Sequence, residues 1–76
     1  MIEKKIKKIF YEDITKKKLT LNSDLISSNI LDSFSVLVLI SRIEKEFKMK
    51  IKMKKFELRY FKTIKSIINY INSCKK

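Results

Sequence analysis

The sequence predicts an all-α fold, a four-helix bundle with a long first loop and a short third helix, on three observations. Apolar residues recur at helical spacing in three separate segments, around residues 2–10, 36–47 and 64–71. Between the first two lies an aperiodic stretch that still carries six large aliphatics. The only strand-like alternation, "KMKIKMKK" at residues 48–55, has no second strand to pair with.

The elements follow in order. Ile2, Ile6, Ile9 and Phe10 share one face while Lys4, Lys5, Lys7 and Lys8 fall mainly on others, so residues 2–15 read as an amphipathic helix with a solvated lysine face. From Lys16 to Asp32 the period is lost and Ser, Asn and Thr accumulate. Leu19, Leu21, Leu25, Ile26, Ile30 and Leu31 make this a loop that packs on the core, because a free linker would not carry them. At steps of about 100° per residue, Val36, Leu39, Ile40, Ile43 and Phe47 form one narrow stripe, the core-facing side of the second helix. Phe34, Leu37 and Val38 lie off that stripe, beside Ser41, Arg42 and Lys45, as an apolar patch for a partner to touch. Residues 48–55 read as a loop. "FELRYF", residues 56–61, is a turn or two of helix held by its aromatics. Thr63 then caps a last helix with Ile64, Ile67, Ile68 and Ile71 on one face.

Composition narrows the function. With 76 residues the chain reads as one domain, 1–76, too small to enclose a sizeable substrate cavity. The lone Cys74 cannot form an internal disulfide, which points to a reducing compartment, the cytoplasm. No uncharged apolar run is long enough to insert into a membrane, and the charged N-terminus lacks the apolar region of a signal peptide. Histidine is absent, removing the commonest general base and metal ligand, and no carboxylate pair is placed to share acid–base work. Glycine is absent as well, excluding a Gly-rich phosphate loop. The chain therefore reads as a non-enzyme without a metal site.

The formal net charge of +11 argues for an anionic partner. Almost all of it is lysine, with only Arg42 and Arg59 able to fork onto phosphate, and a genome rich in AT would produce the same skew. A small basic module binding nucleic acid or an anionic surface is thus the alternative reading. Against it, the linker into the second helix is far longer than the turn of a helix-turn-helix, and that helix is mostly aliphatic. Tyr60, Phe61 and Tyr70 sit near apolar neighbours as core or rim residues, so no specific nucleic-acid binding is expected.

One short stretch carries the sharper signal. In "SSNILDSFSVLVLISRIEKEF", residues 27–47, Asp32 or Ser33 is placed as the N-cap of the second helix. The same geometry suits a second role, since free amides and the positive dipole end stabilise a phosphodiester on a serine there.

"LDSFSVLVLISRIEKEF" resembles the acyl carrier protein family, in which Asp-Ser-Leu or a close variant opens the second helix and an apolar helix ends in acids and Phe. "SDLISSNILDSF" resembles the family's loop into the modified serine, and "TIKSIINYINS" its last helix, so the resemblance covers nearly the whole chain. It implies a free-standing, monomeric carrier in which Ser33, supported by Asp32, receives 4'-phosphopantetheine from coenzyme A. The arm's thiol would hold an acyl group, as in fatty-acid synthesis, or an aminoacyl group as a thioester. The implied partners are a phosphopantetheinyl transferase, a loading enzyme and a downstream transferase or synthase. Docking would involve Phe34, Ser35, Leu37, Val38, Ser41 and Arg42, with Ser35 and Val38 standing where acidic relatives carry acids. "FELRYFKT" is similar to the aromatic-rich region of D-alanyl carriers and of peptide-synthetase carrier domains, which implies an aminoacyl or specialised acyl cargo.

Overall fold

The computed structural model describes residues 2–74. Three α-helices build it: α1 (Ile2–Asp13), α2 (Ser33–Phe47) and α3 (Ile64–Cys74). Two separate 3-10 turns, Met53–Lys55 and Leu58–Phe61, lie between α2 and α3, and no strand occurs among the described residues. The expected four-helix bundle is therefore corrected to three α-helices. The segment expected as the short third helix closes only the four-residue turn Leu58–Phe61, too few residues to complete an α-helical hydrogen-bond ladder.

The core is wholly apolar. Ile6, Ile9 and Phe10 of α1 meet Val36, Leu39, Ile40 and Ile43 of α2 and Ile64, Ile67 and Ile71 of α3, with Ile51 and Phe61 contributed by the connecting segment. Helix α1 packs against both α2 and α3, and the turn Leu58–Phe61 packs on α3. The four central residues of the expected α2 stripe are buried, while Phe47 at its end is half-buried.

Helix α1 stops at Asp13, two residues before the expected end. The amides of Ile14 and Thr15 both donate to the Phe10 carbonyl, at 2.9 and 2.8 Å, tightening the last turn. Lys16 Nζ donates to the Tyr11 carbonyl at 2.9 Å and supplies the cation that the last turn itself lacks. Helix α2 is closed by the cap residue Lys48, left-handed with φ 51° and ψ 52°, whose amide donates to the Glu44 carbonyl. A chain without glycine places a lysine in the position glycine usually takes. At the start of α3, Thr63 and Ser66 cap reciprocally: the Ser66 amide donates to Thr63 Oγ1 at 3.0 Å and the Thr63 amide to Ser66 Oγ at 2.9 Å.

The long loop packs inward through Leu25 and Leu31, both buried, with Leu19, Leu21, Ile26 and Ile30 half-buried against the core. Its backbone is anchored as well. Leu25 N–H donates to the Lys62 carbonyl at 2.7 Å and Lys65 N–H to the Leu21 carbonyl at 3.1 Å, joining the loop to the entry of α3. Aliphatic burial and these two bonds fix the loop that delivers the chain to α2.

Candidate functional site

The approach to Ser33 is a closed, self-bonded turn. Asp24 Oδ1 accepts from the amides of Ile26 and Ser27 at 3.1 and 2.9 Å, and these bonds, the Ser27 amide foremost, hold its carboxyl below the usual value of 3.8. Asn29 takes the left-handed conformation at φ 63°, tolerated by its short polar side chain. The Leu31 amide then returns to the Leu25 carbonyl at 2.8 Å, and with both leucines buried the next two residues emerge at the surface.

Of the two residues that the sequence offers as caps, one serves. Asp32 is the N-cap: its backbone is extended, and its Oδ1 accepts from the Ser35 amide at 2.8 Å. That bond is the main reason its carboxyl lies below 3.8. Ser33 is the first helical residue. Its side chain is exposed, and among the described residues its hydroxyl has no hydrogen-bond partner. Because Asp32 supplies the capping bond, the Ser33 oxygen is left available at the positive end of a 15-residue helix.

Beyond Ser33 the off-stripe residues separate by exposure. Phe34 is 75% exposed and Leu37 60%, unusually open for large apolar side chains, whereas Ser35 and Val38 are half-buried and Ser41 is exposed. Arg42 is committed elsewhere. Its Nη1 lies 2.6 Å from Asp13, and its Nη2 lies 3.1 Å from Glu12 and 3.5 Å from Glu46, so the guanidinium clamps α2 to the end of α1. The hydrogen bonds to Asp13 and then Glu12 raise its pKa above the ordinary arginine value. Of the residues expected to meet a partner, Arg42 alone has its charge answered within the fold.

Glu44 was not anticipated as a structural residue. Its Oε2 accepts from the Ile51 amide at 2.9 Å across the loop that follows α2. No periodic pattern marks a bond between a helix carboxylate and a loop amide seven residues on.

The aromatics pack on one another. Tyr60 and Tyr70 stack at 4.8 Å and 12°, and the Phe56 ring meets Phe61 edge-on at 4.9 Å. Phe61 is fully buried, and burial pushes the Tyr70 hydroxyl up to about 12. The facing surfaces of Tyr60 and Tyr70 are thereby occupied by each other. Among the described residues there is no cluster of three or more His, Cys, Asp or Glu side chains able to hold a metal ion, and no helix long and apolar enough to cross a membrane.

The start of the central helix thus presents an exposed serine hydroxyl that no bond of the fold engages, an arrangement suited to bearing an attached group. The match to known families agrees: residues 4–71 fit the phosphopantetheine attachment site family, to which the chain belongs. Comparison with curated proteins yields no match. The cofactor of this family is covalently attached 4'-phosphopantetheine, its members work with a phosphopantetheinyl transferase and acyl-handling enzymes, and its domains are generally non-catalytic.

Proposed function

We propose that this chain is a carrier whose phosphopantetheine is attached at Ser33 Oγ, with Asp32 supporting the site. The observation that carries this reading is the division of labour at the start of α2, in which Asp32 takes the capping bond and leaves the adjacent hydroxyl exposed and unbonded. An attached arm needs an oxygen that an enzyme can approach and that no fold-holding bond requires, and Ser33 meets both conditions. The arm supplies a thiol that holds cargo as a thioester. The chain's own residues orient the attachment point and offer Phe34 and Leu37 to the enzymes that must reach it.

The proposed cargo is an aminoacyl or specialised acyl group, supported by the aromatic-rich segment at residues 56–63. Its test is thioester formation on the holo protein, expected with an amino acid and an adenylating enzyme of the host in preference to malonyl or long acyl groups. Thioester formation with fatty-acid enzymes alone would reverse that preference. Attachment is tested separately by incubating the apo protein with a broad-specificity phosphopantetheinyl transferase, coenzyme A and magnesium. Intact mass should rise by one phosphopantetheine, and peptide mapping should place it on Ser33. Ser33→Ala should abolish the gain, and a modification that survives in Ser33→Ala would overturn the assignment.

A further inference from the structure

All eight carboxylates of the sequence have a partner inside the fold. Glu3 pairs with Lys7; Glu12, Asp13 and Glu46 pair with Arg42; Glu57 pairs with Arg59. Asp24, Asp32 and Glu44 take backbone amides. Among the described residues the remaining lysines therefore have no carboxylate within ion-pair distance, and they are not spread evenly. Lys8, Lys16, Lys17 and Lys18 converge around one open concavity of about 510 Å3 between the second half of α1 and the start of the long loop, with Lys7 on the same rim.

Its wall is apolar. Tyr11, 59% exposed, and the half-buried Leu19 lie between the lysines, with the Phe10 ring behind them. Lys16 is held in place, its ammonium 2.9 Å from the Tyr11 carbonyl and 4.1 Å from the Tyr11 ring centroid. None of the site residues at the start of α2 lines this surface.

We propose that this patch is a peripheral docking surface for an anionic lipid bilayer. Lysine ammoniums are compact point charges without the planar fork that reads individual phosphates, and a tyrosine with a neighbouring leucine suits the boundary between headgroups and acyl chains. The combination matches a surface that is negatively charged and apolar just beneath, which a nucleic-acid backbone is not. The inference rests on the patch alone and is independent of where the arm attaches.

The test is co-sedimentation of the full chain with vesicles of phosphatidylcholine alone or enriched in phosphatidylglycerol. Binding is expected only to the phosphatidylglycerol vesicles and should be lost at high salt. Lys8→Gln, Lys17→Gln and Lys18→Gln together should weaken it about a hundredfold, since each lysine near such a surface contributes roughly fivefold. A control triple, Lys50→Gln, Lys52→Gln and Lys55→Gln, removes the same charge from the other large concavity and should change binding less than about threefold if the effect is local rather than general. Tyr11→Ser should weaken binding at unchanged charge. Equal losses from the two triples, binding to both vesicle types alike, no binding, or displacement by duplex DNA at comparable charge would each overturn the proposal.

Discussion

Removing one carboxylate tests how the chain leaves α2. The Ile51 amide belongs to a residue that is almost wholly buried, and its acceptor is Glu44 Oε2 at 2.9 Å. Glu44→Ala removes the acceptor of that part-buried amide, a loss of about 1–3 kcal/mol where no water takes the carboxylate's place. A chain of 76 residues has a total stability of roughly 4–11 kcal/mol at typical values per residue, so the change removes a large fraction of it. At roughly 4–8 °C per kcal/mol for a domain of this size, the melting temperature should fall by about 5–20 °C. Glu44→Gln keeps an amide oxygen on the same stem and should recover most of the loss. The assay is thermal and urea unfolding followed by circular dichroism, with the urea slope unchanged if only the native state is affected. Phosphopantetheinylation at low temperature should be unaltered, because Ser33 and Glu44 are separated by 11 residues of helix, about 16 Å along its axis. Equal stability of Glu44→Ala and the parent chain, or a Gln variant as weak as the Ala variant, would refute the reasoning.

Other expectations follow from single residues. Leu25→Ala, in the loop yet fully buried, should cost about 2–5 kcal/mol in urea unfolding, as a helix-borne core leucine would. Lys48→Gly should raise stability by about 0.5–1 kcal/mol, because relief of a left-handed conformation costing about 1–2 kcal/mol exceeds glycine's entropic penalty of about 0.5–1 kcal/mol; Lys48→Val should lower it. Asp32 has a lowered folded-state pKa, so its contribution is present above the ordinary value of 3.8 and lost as pH falls through the folded value; Asp32→Asn should remove that part of the acid-side decline in melting temperature while leaving neutral-to-alkaline behaviour parallel. Phe34→Ala and Leu37→Ala together should reduce kcat/KM for loading by more than tenfold with helix content unchanged, since burying each side chain at an interface contributes about 1.5–3 kcal/mol.

How far the fold could be read depends on the range of each interaction. The α2 stripe was legible because Val36, Leu39, Ile40 and Ile43 repeat at the helix period, and the loop's inward packing because Leu25 and Leu31 have no place in a solvated linker. Thr63 was legible as a cap because it directly precedes a periodic isoleucine run. The segment at residues 56–61 was legible only as a short helical turn, since its aromatics say that it packs inward but not with which hydrogen-bond period it turns. Lys48 gave no warning of a left-handed residue, as the usual marker is a glycine that this chain lacks. At the site, Asp and Ser are both good caps, and which of the two serves is set by the backbone conformation at residue 32, which residue types alone do not reveal. The Arg42 clamp joins residues about thirty positions apart and leaves no mark in any local window.

The internal satisfaction of every carboxylate bears on how copies of this chain meet. Phe34 and Leu37 stand uncovered on α2, an arrangement that in a neutral protein invites self-adhesion. Here two approaching molecules each bring a strong positive field and, among the described residues, no unpartnered acidic side chain to complement it. Like-charge repulsion thus acts as a screen in front of the sticky helix, holding copies apart while admitting a partner of opposite sign. The screen is only as deep as the Debye length, about 8 Å at physiological salt and about 3 Å at 1 M. In concentrated salt the apolar contact is strengthened as the electrostatic guard is withdrawn, so the selectivity of this surface for a partner over its own twin belongs as much to the solvent as to the residues.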